Sequence, residues 1–284
     1  MNHDTPPGTP PDGAPAIELR GAGKTFRTPS GAAHTAVRDL DLTVAQGEFA
    51  AVVGPTGCGK STTLTLVSGL EEPTEGDVLV GGEAVTGIRP EVGFVFQQDA
   101  VFPWRTVLSN VMAGPRFRGV AKAEARERAR DWLGRVGLAA FEDRYPHQLS
   151  GGQRKRVALA QTFVNDPAIL LMDEPFSALD VQTRALMSDE LLELWSASRA
   201  DGRKASVVFV THDLEEAIAL ADKVVVMTAG PATVKQVFPI DLPRPRKVES
   251  VRLEPEFIEI YREIWSSLGE EVRITRERGA SHVA

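Results

Sequence analysis

"GPTGCGKST", Gly54 to Thr62, stands between two stretches of different period. Before it, "EFAAVVG" is an unbroken apolar run, the pattern of a strand buried on both faces. After it, "STTLTLVSGL" puts Leu64 and Val67 one helical turn apart, and Gly69 marks the helix end. Gly54, Pro55, Thr56, Gly57, Cys58, Gly59, Lys60 and Ser61 match G-x-x-x-x-G-K-[ST] in full, in the strand-to-helix setting the pattern requires. Glycines there let backbone N–H groups wrap phosphates, and the helix N-terminus adds a favourable field. Lys60 is expected to reach the β- and γ-phosphates, and the Ser61 hydroxyl to ligate Mg²⁺, with Thr62 alongside. The alternative, a glycine-rich turn matching by chance, sits poorly with both flanks. The pattern reads as a nucleoside triphosphate site and leaves open what the energy serves. The field at the helix start also predicts a reactive thiolate at Cys58, shielded by nucleotide.

Outward from this loop, "AIELRGAGKTF" and "LDLTVAQGEF" read as strands, "GDVLVGGEAV" as a strand pair around a Gly-Gly turn, and "VGFVFQQ" as a buried strand. From about residue 100 to 166 the strand pattern stops, and "AEARERARDWLGRVGL" lines Ala125, Ala129, Trp132, Leu133 and Val136 along one helical face. Strands return at "AILLMDEP", "SVVFVTHD" and "KVVVMTAG", separated by helices "VQTRALMSDELLELWSAS" and "LEEAIALA". This alternation predicts an α/β fold: a mainly parallel sheet flanked by helices, with an N-terminal antiparallel β part and a helical insertion. Residues 1–15 read as a disordered Pro/Gly leader, 16–250 as the main domain, and 251–284 as a tail whose amphipathic helix carries Phe257, Ile260, Tyr261, Ile264, Trp265 and Leu268.

The chain has 284 residues, 42% hydrophobic and 25% charged, the balance of a globular protein. No apolar run nears the ~20 residues of a membrane span. One cysteine excludes an internal disulfide framework and fits a reducing compartment. A net charge of −7 argues against a nucleic-acid backbone as partner.

Two further strand ends carry chemistry. "AILLMDEP" closes in two carboxylates. Asp173 is expected to hold Mg²⁺ through its water shell, and Glu174 to polarise the attacking water. His212 ends "SVVFVTH" in the same way, at the crevice end of a doubly wound sheet, and is expected to touch the γ-phosphate. Taken alone, the pair of acids also admits a reading as a solvated strand end, and the histidine as a structural one. "QLSGGQRKR", Gln148 to Arg156, then presents a second glycine-rich helix start, Ser150, Gly151, Gly152 and Gln153. It also reads as a helix cap, and the adjacent "RKR" as a solvated face.

The set resembles the ATP-binding subunits of ABC transporters over about residues 16–245: "GPTGCGKS", "VFQQD", "LSGGQ", "LLMDEP", "SALD" and "THD" occur in that family's order. The resemblance implies a P-loop NTPase that hydrolyses ATP as a head-to-tail homodimer, each ATP lying between one chain's phosphate loop and the other's Ser150–Gly152. It implies that Phe26 stacks on adenine, Gln97 senses Mg²⁺ and water, and Asp180 links the two sites. Gln98 stands where many relatives have Glu, and no role is attached to it.

"VFPWRTVLSNV" and "LPRPR" look like stretches of the nitrate, sulfonate and taurine uptake subfamily. That implies an importer of small anions at the cytoplasmic face of the inner membrane. Its partners would be membrane permease subunits, with an extracytoplasmic binding protein acting indirectly. The alternative is a soluble ABC ATPase of DNA repair or translation. A scaffold that binds ATP without hydrolysis would be expected to lack Glu174 or His212.

Overall fold

The computed structural model describes residues 14–27, 31–197 and 199–280, with the side chains of 278–280 left aside. Most of the leader expected over residues 1–15 lies outside them. Strands β1 (Ile17–Arg27), β2 (Ala33–Val44), β4 (Glu75–Val80) and β5 (Glu83–Ala84) form an antiparallel sheet in the order β2-β1-β4-β5. The second sheet has the order β10-β9-β3-β8-β7-β6, built from β3 (Phe49–Val53), β6 (Val92–Val95), β7 (Ile169–Asp173), β8 (Ser206–Val210), β9 (Lys223–Met227) and β10 (Val234–Pro239). All its pairings are parallel except that of β9 with β10. This is the P-loop NTPase fold expected from the sequence.

β3, β7 and β8 are almost wholly apolar, apart from Asp173 at the end of β7 and Ser206 at the start of β8, because helices or the antiparallel sheet cover both their faces. One face packs on the antiparallel sheet and on α1 (Lys60–Ser68), through Val37, Leu40, Ala50, Val52, Leu64 and Val67. The other packs on α6 (Val181–Ser196), α7 (Leu214–Leu220), α8 (Val248–Val251) and α9 (Pro255–Ala280), through Phe49, Phe209, Leu191, Ile218 and Phe257.

The insertion is helical among the described residues: α2 (Val107–Val111), α4 (Lys122–Arg135) and α5 (Gly151–Phe163) share a third core around Val107, Leu133 and Val157, with α3 (Ala113–Phe117) packed beside them. The amphipathic tail does not stand apart. Phe257, Ile264 and Leu268 of α9 are buried in the main core, while Trp265 is exposed. β10 had no clear sequence signal: it is a half-exposed edge strand closed by Pro239, so little apolar alternation remains.

Candidate functional site

The sheet register assembles the site. Val52 of β3 is level with Val210 of β8, Val210 with Asp173 of β7, and Met172 with Val95 of β6. The C-terminal ends of four neighbouring parallel strands therefore open at one height, where ligands bind in sheets of this kind. The phosphate loop leaves β3, Glu174 follows β7, His212 follows β8 and Gln97 follows β6.

The loop is closely fitted from below. A Cβ on Gly59 (φ 122°) would sit 2.5 Å from the Ala36 carbonyl oxygen and 2.8 Å from Cβ of Ala232. A Cβ on Gly54 would sit 3.0 Å from Sγ of Cys58. Gly54, Pro55, Cys58 and Lys60 are buried, whereas Thr56, Gly57 and Ser61 face outward and Thr62 is half-buried. The Lys60 ammonium donates to the carbonyls of Gly54 (2.9 Å) and Pro55 (3.0 Å), so the loop's own backbone holds it.

Cys58 departs from expectation. Its side chain belongs to the core under the loop, and burial pushes the thiol up, against the opposing pull of Lys60. Loss of solvation outweighs the helix-end field, so the expectation of a reactive thiolate there is corrected.

Above the loop, the structure brings Glu174, His212 and Gln97 together. Nδ1 of His212 lies 3.0 Å from Oε2 of Glu174, and Nε2 of Gln97 donates to the same oxygen at 3.4 Å. Glu174 has φ 43°, left-handed for a non-glycine residue, and its backbone is pinned there. Its N–H donates to Val210 (2.9 Å), and its carbonyl accepts from the Ser177 hydroxyl (3.0 Å). Strain of this kind collects where a side chain must be aimed.

Asp173 is in contact with the Ser61 hydroxyl. Burial pushes its carboxyl up, Ser61 and Lys60 pull it down, and Glu174 adds to the rise. Ser61, Asp173 and the Gln97 amide are an all-oxygen donor set with one carboxylate, which suits Mg²⁺ completed by substrate phosphates and water. No cluster of three His, Cys, Asp or Glu side chains occurs among the described residues, so no closed protein cage is present there.

The second glycine-rich start lies apart. Ser150 caps α5: its hydroxyl accepts from the Gln153 N–H (3.2 Å), and the Gln153 side chain accepts from the Ser150 N–H (2.9 Å). This reciprocal box satisfies two helix-end donors. Ser150 is exposed; a Cβ on Gly151 would make only ordinary contacts, at 3.9 Å and beyond, while one on Gly152 would sit 3.2 Å from Cγ2 of Thr183. Asp180 caps α6 by accepting from the Thr183 N–H (3.0 Å), which holds its carboxyl below the usual value. Phe26 lies on β1, half-buried, with Nζ of Lys24 5.1 Å from the ring centroid.

The "RKR" run is corrected too. Lys155 is 3% exposed; its Nζ lies 2.8 Å from Asp99 and donates to the carbonyl of Gln97 at 3.3 Å. Arg156 pairs with Glu190. The helix of the second glycine start is thereby tied to the loop carrying Gln97, which charge alone could not reveal.

"LPRPR" also has a structural account. Arg244 pairs with Asp222 at 2.7 Å, and buried Arg246 donates to the carbonyls of Ala221 (2.6 Å) and Leu242 (2.7 Å), closing the C-terminal end of α7. Burial lowers Arg246 to about 10. At the other end of α7, burial raises Glu216 to about 7, and Thr211 donates to it at 2.5 Å.

Beyond Gln97 runs a groove of ≈ 230 Å³ lined by Phe96, Ala100, Phe102 and Phe117. Trp104 is 71% exposed and Phe117 73%, so neither is core. Asn110, fully buried, fixes the ledge: it accepts from the Phe102 N–H (2.7 Å) and faces the carbonyls of Phe102, Arg105 and Thr106 at 3.2, 3.1 and 3.0 Å.

Comparison with known proteins agrees with this geometry. A family model, ABC transporter, matches residues 37–177, the span from β2 to just past Glu174. The chain is 48% identical over 237 residues to an uncharacterized ABC transporter ATP-binding protein of Methanocaldococcus jannaschii, covering 84% of this chain and 85% of that one. It is 39% identical over 238 residues to the nitrate import ATP-binding protein NrtD of Synechocystis sp., covering 82% and 88%. With the bicarbonate transport ATP-binding protein CmpD of the same organism it shares 38% over 247 residues, covering 86% of each. Among solved structures, the dimeric post-hydrolysis state of an ATP-binding cassette bound to ADP and Pi superposes with TM-score 0.69 at 31% identity, over 80% of this chain and 100% of that one. The chain belongs to the ABC transporter family. Within it, the chain is an ATP-binding subunit and an ATPase.

Proposed function

We propose that this ATPase powers uptake of a small oxyanion or sulfonate, of the nitrate, bicarbonate or taurine kind, by ATP-driven closure of a homodimer. It works from the cytoplasmic face of the inner membrane, bound to permease subunits that receive cargo from an extracytoplasmic binding protein. The observation that carries the reading is the continuity of the segment through Gln97: the Gln97 side chain meets Glu174, the adjacent Phe96 lines a groove shared with Phe102 and Phe117, and the exposed Trp104 ring lies 5.7 Å from that of Phe102. The names of the nitrate and bicarbonate relatives supply the cargo class. Among the described residues no helix is long and apolar enough to cross a membrane, so transport needs other chains.

The chemistry follows from the positions. The amides of Gly57 to Lys60 wrap the phosphates. Lys60 exchanges the carbonyls of Gly54 and Pro55 for phosphate oxygens, a charge-assisted contact stronger than the neutral one it replaces. Phe26 offers its ring to the adenine. Ser61, Asp173 and Gln97 would hold Mg²⁺, which would supply positive charge against the phosphate oxygens. Glu174 orients the attacking water, and His212 fixes the Glu174 carboxylate while its free ring edge faces the γ-phosphate. Ser150, Gly151 and Gly152, with Gln153 holding their helix start and Asp180 beside them, complete the partner's site across a two-fold axis. Loss of the γ-phosphate removes that bridge and lets the pair open.

Uptake assays in membrane vesicles test the cargo. Labelled nitrate, bicarbonate or a sulfonate should enter with ATP; transport of a sugar or a cation with none of these anions would overturn the class. Trp104→Ala should leave the Tm and ATP affinity of the isolated subunit within experimental error and weaken its assembly with the permease, as loss of an aromatic anchor does. A drop of several degrees with assembly intact would return Trp104 to a packing role.

A further inference from the structure

The tail helix reaches the back of the phosphate loop through one side chain. Glu271 of α9 is 6% exposed. Its Oε2 accepts from the backbone N–H of Ala229 at 2.8 Å, and its Oε1 lies 2.9 Å from Nζ of Lys235. Ala229 opens the turn between β9 and β10, and the other side of that turn lies on the phosphate loop. A Cβ on Gly230 would sit 3.7 Å from Cα of Cys58 and 4.0 Å from the Gly57 carbonyl oxygen. Ala232 blocks the space beside Gly59. It is itself fixed by β2, donating to Ala36 (2.8 Å) and accepting from Arg38 (3.0 Å).

Loop, turn and tail helix thus stack in three layers, with one carboxylate joining the helix to the turn. Packing does not require it, since Phe257, Ile264 and Leu268 already anchor α9. A buried carboxylate is costly unless it is paired and hydrogen-bonded, and this one spends its bonds on a turn amide and the β10 lysine. The Glu271 charge is also felt at Cys58, where it adds to the rise caused by burial.

We infer that Glu271 is a positioning residue for ATP binding: the tail helix holds the 229–232 turn, and the turn holds Gly57 to Gly59 in the phosphate-wrapping conformation. The effect on ATP rests on the loop being the phosphate site; the effect on the loop does not, and the experiment separates them.

Cys58 is the chain's only thiol, so its slow reaction with a small aromatic disulfide reads opening of the loop in nucleotide-free protein. Glu271→Ala should raise that rate about tenfold, the scale of a lost charge-assisted bond, and raise KM for ATP similarly with kcat nearly unchanged. Glu271→Gln keeps an acceptor for the Ala229 N–H and should raise both about threefold. Glu270→Gln removes the neighbouring carboxylate on Lys235 without touching Ala229, and should leave both at the wild-type value. Equal thiol rates in Glu271→Gln and Glu270→Gln overturn the inference, even if Glu271→Ala fails to fold. So does a lower Tm in Glu271→Ala with thiol rate and KM unmoved. A faster thiol reaction at constant KM supports the mechanical link and counts against the loop as the ATP site.

Discussion

The two glycine-rich helix starts differ in what surrounds them. At Gly54–Ser61 the chain itself completes the mould: Ala36 and Ala232 press on Gly59, and Lys60 is held by the loop's carbonyls. At Ser150–Gln153 the helix end is capped and more open, with an exposed serine and only ordinary contacts beside Gly151, although Gly152 packs closely on Thr183. One start is preorganised by its own fold, and the other, in the function proposed above, presents donors to a partner. A single chain therefore holds a whole phosphate cradle and, by the reading above, half of a second contact.

That contrast can be broken by substitution. Glu174→Gln should have the largest effect, lowering turnover about 10³-fold with ATP still bound. The pair should then persist as an ATP-locked dimer on size exclusion; unchanged turnover would remove Glu174 from the chemistry. Ser150→Arg should cut hydrolysis by about 10² while the monomer binds ATP normally, since the bulk falls on the open side. Loss of monomer binding would mean that the second start serves its own chain. Gly59→Ala should do the reverse, destabilising the fold by on the order of 3 kcal/mol and weakening ATP binding in the monomer, because Cβ meets backbone oxygen. A normal Tm for that variant would show the cradle to be looser than its contacts imply.

A pH-dependent effect, vanishing near pH 4.5, concerns the floor beside His212. Glu216 has Thr211 as donor and Asp213, Arg184 and Glu174 as charged neighbours, and burial raises it from 4.5 to about 7. The folded state therefore binds a proton that the unfolded state has lost, and stability falls as pH rises from about 4.5 to 7. Glu216→Gln should be nearly neutral at pH 4.5 and stabilise at pH 8 by up to about 3 kcal/mol, measured as a pH-dependent difference in Tm. A difference that does not change with pH would place the ionised group in a better-solvated site.

Sequence was most informative where one short segment dictates both conformation and chemistry. The phosphate loop, the acidic end of β7 and the histidine after β8 are legible because an apolar strand delivers each to the same sheet edge. What stayed hidden depends on partners distant in the chain. Lys155 looks like surface charge until Asp99 and the Gln97 carbonyl are placed against it. Arg246 is a family-like spelling until α7 supplies its carbonyls. Cys58 misled because a helix-end field is visible in sequence, while the core beneath it is not.

The contacts of Asn110 have a thermodynamic consequence. Ordering a loose turn during association would cost about 1–2 kcal/mol per residue. Residues 102–106 are already held by that one buried amide, so under the docking proposed above a permease helix would meet a ledge whose entropy was lost during folding. Association should then show a heat-capacity change set by the burial of Trp104 and Phe117 alone, without the larger signature of coupled folding. Asn110→Ala should shift that cost into the binding step, weakening assembly through entropy although Asn110 touches no partner.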